Sequence, residues 1–450
     1  WTDPVDPFYA RALVEPAPVS FADGTVGVLD RDDLVPAAAA AGHCPHRTMG
    51  DLIADAEVVV GNYYHLYDPE TRNLTDGRGG ALDEETIAVV DEAHVVEERV
   101  RDVLSASVSV YTLARSLGDV ERARRVLRGE GLGGATGEAA ERARRTAREL
   151  AREVGRTHDG DALTADEFAA AEQFHEWLLD WVGERTRTHL TDEYGRWQAA
   201  IGEGRPESDS VALAPPGEDE TDELTAAIER GAAPVDGREG VERLAATCRA
   251  ASAIHDSVAV SSRTPVADDV GGFLGSWVGA DPVGYFRELV VEHSPHDHPP
   301  AALPDWTERL TAELSLYNCI PTDPIADIYA ELGGGVAMSA TLEPIETYAE
   351  AAGLAALERG VPTDPLSDPD EGRRVESVRY GLAFPEGNRA TWGVPLDRFT
   401  HRNRGEPATD YGAMTTVRRA YAHAIRQVAS EGRNALLCMP NYREAEWAAA

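Results

Sequence analysis

Two short apolar runs that end in polar residues constrain the fold of this chain more than any other feature. Glu57-Val58-Val59-Val60-Gly61 reads as a buried strand. Thr86-Ile87-Ala88-Val89-Val90 reads as a second, stopping at Asp91-Glu92. A strand covered on both faces needs apolar side chains at successive positions, which is the pattern of a parallel α/β sheet. Ligands of such sheets bind beyond the carboxyl ends of the strands, so Asp91 and Glu92 stand where chemistry is expected. Strand character returns at Gly335-Val336-Ala337-Met338-Ser339 and at Asn434-Ala435-Leu436-Leu437-Cys438.

Between these runs the texture changes. Residues 112–300 read as mostly helix, with Arg/Glu/Ala-rich helices near 119–128 and 138–154. Thr164-x-x-Glu167 is a capping box, and it opens a helix with Phe168, Ala171, His175, Leu178 and Val182 on one face. Trp177 and Trp181 read as core. The acidic stretch from Pro206 to Gly240 reads as a linker, and residues 1–42 as loops with one hairpin around Gly24. With 450 residues the chain exceeds what one core holds. The expected fold class is α/β: a domain with a parallel sheet, interrupted by a mostly helical insertion and followed by the start of a second α/β domain.

Composition adds two constraints. Acidic residues number 79 against 42 basic ones, for a net charge of −37, and every basic residue is arginine. Acid spread along the whole chain with no lysine fits a salt-in, halophilic cytoplasm, where molar salt shortens the Debye length to about 3 Å. Without lysine the chain holds no Gly-x-x-x-x-Gly-Lys-Ser/Thr phosphate loop. Cys44, Cys248, Cys319 and Cys438 are scattered, which excludes a disulfide scaffold, fits a reducing cytoplasm, and places the last three in cores. No run is long enough for a membrane span, and no signal peptide opens the chain. It begins at Trp1 and stops at Ala450 within a helical pattern, as a fragment would.

Asp91-Glu92-Ala93-His94 at a strand end suits a nucleotide hydrolase. One carboxylate can hold Mg²⁺ and the other can orient and deprotonate water; the bland alternative is a solvated helix start. Met338-Ser339-Ala340-Thr341-Leu342 also ends a strand, where small hydroxyls can relay the state of a neighbouring loop or simply cap a helix.

Taken together the segments resemble the XPD/DinG branch of superfamily 2 DNA helicases, the iron-sulfur branch. The matches run in family order: His43-Cys44-Pro45; the stretch from Ala54 to Pro69 containing Asn62-Tyr63-Tyr64-His65; and Val89-Val90-Asp91-Glu92-Ala93-His94, similar to motif II. Tyr317-Asn318-Cys319-Ile320-Pro321 then leads to Met338-Ser339-Ala340-Thr341, similar to motif III. Phe384-Pro385-Glu386-Gly387-Asn388-Arg389 and the stretch from Asn434 to Tyr442 resemble the opening of a second motor domain.

The resemblance implies an ATP- and Mg²⁺-dependent 5′-to-3′ DNA translocase of DNA repair type, a cytoplasmic monomer acting on single-stranded or forked DNA. It implies Asp91 as the Mg²⁺ ligand, Glu92 as general base, and His94, Ser339 and Thr341 as couplers of the ATP site to DNA. Asn62, Tyr63, Tyr64 and His65 would contact DNA, the tyrosines by stacking on bases or, alternatively, by packing in the core. Cys44 aligns with the last of four ligands of a 4Fe–4S cluster. The other three lie before Trp1, the lineage has lost the cluster, or Cys44 is a buried thiol.

The implied domains are 1–45, the end of a cluster-type insertion; 46–112, the first motor domain; 113–300, an Arch-type helical insertion; 301–364, the return to the first motor domain; and 365–450, the start of the second. Lacking its phosphate loop, the 450-residue chain is expected to be inactive alone. Two other classes stay open: a non-catalytic DNA-binding scaffold descended from a helicase, and a metal-dependent hydrolase combining Asp91 and Glu92 with His293, His296 and His298. The arginines at 122, 124, 125 and 128, and at 142, 144, 145, 148 and 152, could touch phosphate, but i,i+4 pairing with interleaved glutamates is the simpler role.

Overall fold

The structure is a computed structural model that describes residues 8, 30–53, 56–76, 82–130, 137–158, 160–204, 206–214, 221–258, 263–293, 310–360, 372–381, 385, 387, 393–432 and 434–449. It divides into two units, Trp1–Ser377 and Val378–Ala450. In the first, α1 (Arg31–Ala40), α2 (Pro45–Ile53), α3 (Tyr64–Tyr67) and α4 (Pro69–Asp76) precede β1 (Ile87–Val90). A 3₁₀ turn (Ala93–Val95), α5 (Val96–Leu104) and β2 (Ala106–Ser109) follow. The helical block holds α6 (Val110–Arg128), α7 (Gly137–His158), α8 (Ala165–Asp192), α9 (Tyr194–Glu203), β3 (Glu207–Ala212), α10 (Glu223–Glu229), α11 (Gly237–Val258) and α12 (Ala267–Gly279). The unit closes with β4 (Tyr285–His293), β5 (Thr311–Asn318), α13 (Thr322–Glu331), β6 (Gly334–Ala337), α14 (Ile345–Ala351) and α15 (Leu354–Arg359). The second unit contains α16 (His401–Arg404), α17 (Thr416–Ala429) and α18 (Tyr442–Ala449).

The fold is α/β with a parallel sheet and a large helical insertion, as expected. β1 and β6 pair in parallel, Ile87 opposite Gly334 and Val90 opposite Ala337. Their core comes from Tyr67, Val90, Ala93, Val96, Val100, Ile325, Ile328, Tyr329 and Leu332. Val96 and Val100, four residues apart on α5, turn one face inward. Gly335 has no side chain because one would meet the Tyr329 ring at 2.9 Å.

The insertion is less purely helical than its composition suggests. β2, β5, β4 and β3 form an antiparallel sheet in that order. Residues 106–109 and 311–318, assigned from sequence to the motor domain, thus pair with strands of the inserted block. Strand β4 alternates in burial while the helices supply the rest of a large core around Phe168, Phe174, Trp197 and Trp277. Ser109 caps α6 by accepting from the Thr112 N–H, and Gly129 ends it at φ +79°. The capping box Thr164/Glu167 opens α8, and Phe168, Ala171, His175, Leu178 and Val182 are all buried.

Several local expectations fail, each because tertiary partners outweigh local pattern. The acidic stretch after Pro206 is not a linker. It contains β3 and α10, and buried Asp222 caps α10, accepts the Trp277 indole N–H at 3.1 Å and faces Arg287 Nε at 3.3 Å. Residues 31–40 form α1 rather than loop, capped by Asp30, with Leu34 and Ala38 buried; Gly24 lies outside the described residues. Val58, Val59 and Val60 form no strand and are 78%, 48% and 93% exposed, because no described strand pairs with them. Residues 434–438 are likewise unpaired, with Leu436 exposed. Of the three cysteines assigned to cores, only Cys248 is buried, its thiol pushed up to about 12 by desolvation; Cys319 and Cys438 are exposed.

The second unit is organised around Glu444. Arg418 and Arg404 both bind this buried carboxylate, and Phe399 and Trp447 stack beside the guanidinium groups. Most of residues 384–389 lies outside the described residues.

Candidate active site

β1 and β6 end side by side, which brings the two polar segments together. The pairing continues past both strands: the Met338 N–H donates to the Val90 carbonyl at 2.9 Å, and the Ala93 N–H donates to that of Met338 at 2.9 Å. Asp91-Glu92 and Ser339 therefore occupy one small region, 247 residues apart in sequence for Glu92 and Ser339.

Within it, the Ser339 hydroxyl donates to Glu92 Oε2 at 3.2 Å. His94 Nδ1 lies 2.9 Å from Ser339 Oγ and 3.2 Å from Glu92 Oε2. A carboxylate only accepts and the serine proton is already committed, so Nδ1 must carry a hydrogen. The serine hydroxyl thus bonds Oε2 and His94 bonds the serine, and Oε1 has no partner among the described residues. Asp91 uses Oδ1 to accept the Glu92 N–H at 2.9 Å, leaving Oδ2 open. Thr341 contributes its backbone, whose N–H donates to Ser339 Oγ at 3.3 Å. Glu92 is held at φ +49°, the single non-glycine residue with positive φ among those described. Asp91, Glu92 and His94 are all exposed.

The segment 62–65 meets the same loop through one residue. The Tyr63 hydroxyl donates to the Asp91 carbonyl at 2.7 Å and lies 3.4 Å from that of Glu92, while its ring packs on the core beneath the sheet. Tyr63 thus packs against the core and adds a polar contact that the sequence does not signal. Tyr64 is 45% exposed. The Asn62 side chain accepts the Tyr64 N–H at 3.1 Å, and His65 Nδ1 lies 3.0 Å from Thr75 Oγ1. Below them the Tyr67 and Tyr329 hydroxyls bond to each other at 2.9 Å, and burial pushes both phenols up, Tyr67 far above its ordinary range.

Residues 18–113 match the DEAD_2 family model. That span covers Cys44, Asn62–His65 and Asp91–His94. Over 95 residues the chain is 32% identical to the Regulator of telomere elongation helicase 1 homolog of Anopheles gambiae. The matched stretch is 21% of this chain and 9% of that protein's length. The chain thus carries a DEAD-like helicase-family segment, which runs through the carboxylate strand, α5 and β2 to the first turn of α6.

Other candidate groups do not converge here. Cys44 is half-buried and immediately precedes α2, where its carbonyl accepts from Thr48. Among the described residues no three His, Cys, Asp or Glu groups come together as a metal site. His293 is buried in β4 of the antiparallel sheet, a different sheet from that of Asp91 and Glu92; His296 and His298 lie outside the described residues. Arg124 pairs with Glu172 and Arg125 with Glu121, but the α7 arginines 142, 145, 148 and 152 have no ion pair among the described residues. The expected i,i+4 pairing therefore fails on α7, where the side chains stay in solvent. No described helix is long and apolar enough to cross a membrane.

Proposed function

We propose that this chain is part of an ATP-dependent DNA helicase of the XPD/DinG type, a 5′-to-3′ translocase serving DNA repair. The observation that carries the reading is the convergence of Asp91-Glu92, His94 and Ser339 at the carboxyl ends of two parallel strands, with Asp91, Glu92 and His94 inside a helicase-family segment. The geometry fits the chemistry of nucleotide hydrolysis. The free Oδ2 of Asp91 suits Mg²⁺, which binds through one or two carboxylates plus phosphates and water rather than through a protein cage. When bound, Mg²⁺ would neutralise charge on the transferred phosphoryl group.

Glu92 then acts as general base. Its Oε1 faces no competing donor among the described residues and takes the proton of the attacking water, while Ser339 holds the other oxygen and His94 holds Ser339. Because Ser339 lies on the segment after β6, any shift of that segment alters the base, which is how Ser339, Thr341 and His94 would couple ATP turnover to DNA. Asn62, Tyr64 and His65 are proposed to meet single-stranded or forked DNA, with Tyr64 exposed for stacking. The helical block is proposed as the Arch-type insertion, its sheet drawing in 106–109 and 311–318, and the unit from Val378 as the start of the second motor domain. The motor is read as a cytoplasmic monomer.

No lysine occurs in these 450 residues, so the test uses the natural full-length protein. Glu92→Gln should abolish ATP hydrolysis while DNA binding, followed by fluorescence anisotropy, persists. Unchanged turnover would show that Glu92 is not the base.

A further inference from the structure

The carboxylate loop holds a conformation that its own residues do not favour. Glu92 sits at φ +49°, ψ +40°, a left-handed conformation costing a non-glycine residue on the order of 1 kcal/mol. Such a residue persists only when its surroundings over-determine it. On one side the Ala93 N–H is tied to Met338; on the other the Glu92 N–H is tied to Asp91 Oδ1. The Glu92 N–H and the Asp91 carbonyl are opposite edges of one planar peptide, so the Oδ1 bond holds that peptide from one edge only. That carbonyl accepts from the Tyr63 hydroxyl at 2.7 Å. Rotation of this peptide would change ψ of Asp91 and φ of Glu92 together. It would return Glu92 to negative φ and break the bond of its N–H to Asp91 Oδ1, changing the loop that carries both carboxylates.

We propose that Tyr63 is a positioning residue for the hydrolytic carboxylates, its hydroxyl locking the Asp91–Glu92 peptide in the orientation that presents Glu92 to water. The inference rests on the assignment of Glu92 as general base. Tyr63 is suited to the task because its ring packs, partly buried, against the core of the parallel sheet, so the hydroxyl has a defined place. It also belongs to segment 62–65, so a ligand that displaces that segment would act on the base through this one bond.

The test is steady-state ATP hydrolysis by the natural full-length protein with saturating single-stranded DNA, comparing wild type, Tyr63→Phe, Tyr348→Phe and Glu92→Gln. Tyr63→Phe keeps the ring and removes only the hydroxyl. It should lower kcat by about 10- to 100-fold, with KM for ATP, DNA affinity and Tm unchanged. Tyr348→Phe, which removes a hydroxyl from the same apolar cluster, should leave kcat unchanged. Wild-type kcat in Tyr63→Phe beside an inactive Glu92→Gln would overturn the positioning role and leave the carboxylate assignment standing. An active Glu92→Gln would overturn both. A matching kcat loss in Tyr348→Phe, or a loss of DNA affinity accompanying that in Tyr63→Phe, would reduce Tyr63 to packing or to a DNA contact.

Discussion

His175 shows how single side chains in the insertion are specified by what surrounds them. Its Nδ1 lies 2.7 Å from the Ala171 carbonyl, which can only accept, and its Nε2 lies 2.7 Å from the Ser116 hydroxyl. The ring is therefore a neutral Nδ1–H tautomer, and burial pushes its pKa below the ordinary 6.5. The unfolded chain then binds more protons than the folded one just below pH 6.5, so stability is full above that value and falls as pH drops. Thermal melts at pH 8 and pH 5 should show a smaller acid-induced drop for His175→Gln than for wild type; equal drops would exclude this linkage. Glu444 obeys the same sign at lower pH. The Arg418 hydrogen bonds, and then those of Arg404, hold its carboxyl below the ordinary 4.5, so its contribution is present above 4.5 and lost below. Glu444→Gln leaves two buried guanidinium groups uncompensated and should cost about 3–5 kcal/mol in urea unfolding followed in the second unit.

Elements are placed by close approaches that residue type alone does not reveal. Helices α6 and α7 each carry an internal glycine, and the two read alike in sequence. At Gly155 an added Cβ would stand 2.2 Å from the Asp161 carbonyl oxygen and 2.8 Å from the Leu163 nitrogen, both backbone atoms that cannot swing aside. Gly155→Ala should destabilise the insertion by about 1–3 kcal/mol. At Gly118 nothing lies within 4 Å, so Gly118→Ala should stabilise by about 0.5–1 kcal/mol through helix propensity. Chemical denaturation of the two variants checks both signs. The strands tell a similar story. The apolar run of β1 was readable as a strand, whereas β4 lies in a block that reads as mostly helix; residues 58–60 have the chemistry of β1 and no strand partner among the described residues. An apolar run states that burial is favourable; it does not say which strand lies alongside.

At the scale of the whole molecule, charge dominates. A net charge of −37 on 450 residues repels itself at low ionic strength, and salt shortens the range of that repulsion from about 10 Å at 0.1 M to about 3 Å at 1 M. Tm should therefore rise steadily from 0.1 M to 2 M NaCl, measured by differential scanning fluorimetry; a flat or falling profile would remove the halophilic reading. What the sequence determined by itself was local. Capping residues set where α6 and α8 begin, 3.6-residue periodicity chose the buried face of α8, and a strand ending in Asp91-Glu92 marked the place for chemistry. What tertiary structure alone decided were the pairings between distant residues: His94 with Ser339, 245 positions on, Tyr63 with Asp91, and the strands 106–109 and 311–318 drawn into the insertion's sheet. The reason is physical. Helix and strand preference arises from interactions within a few residues, and so it leaves a trace in any short window of sequence. A hydrogen bond between segments forms only after packing has brought them together, and its geometry depends on every element in between.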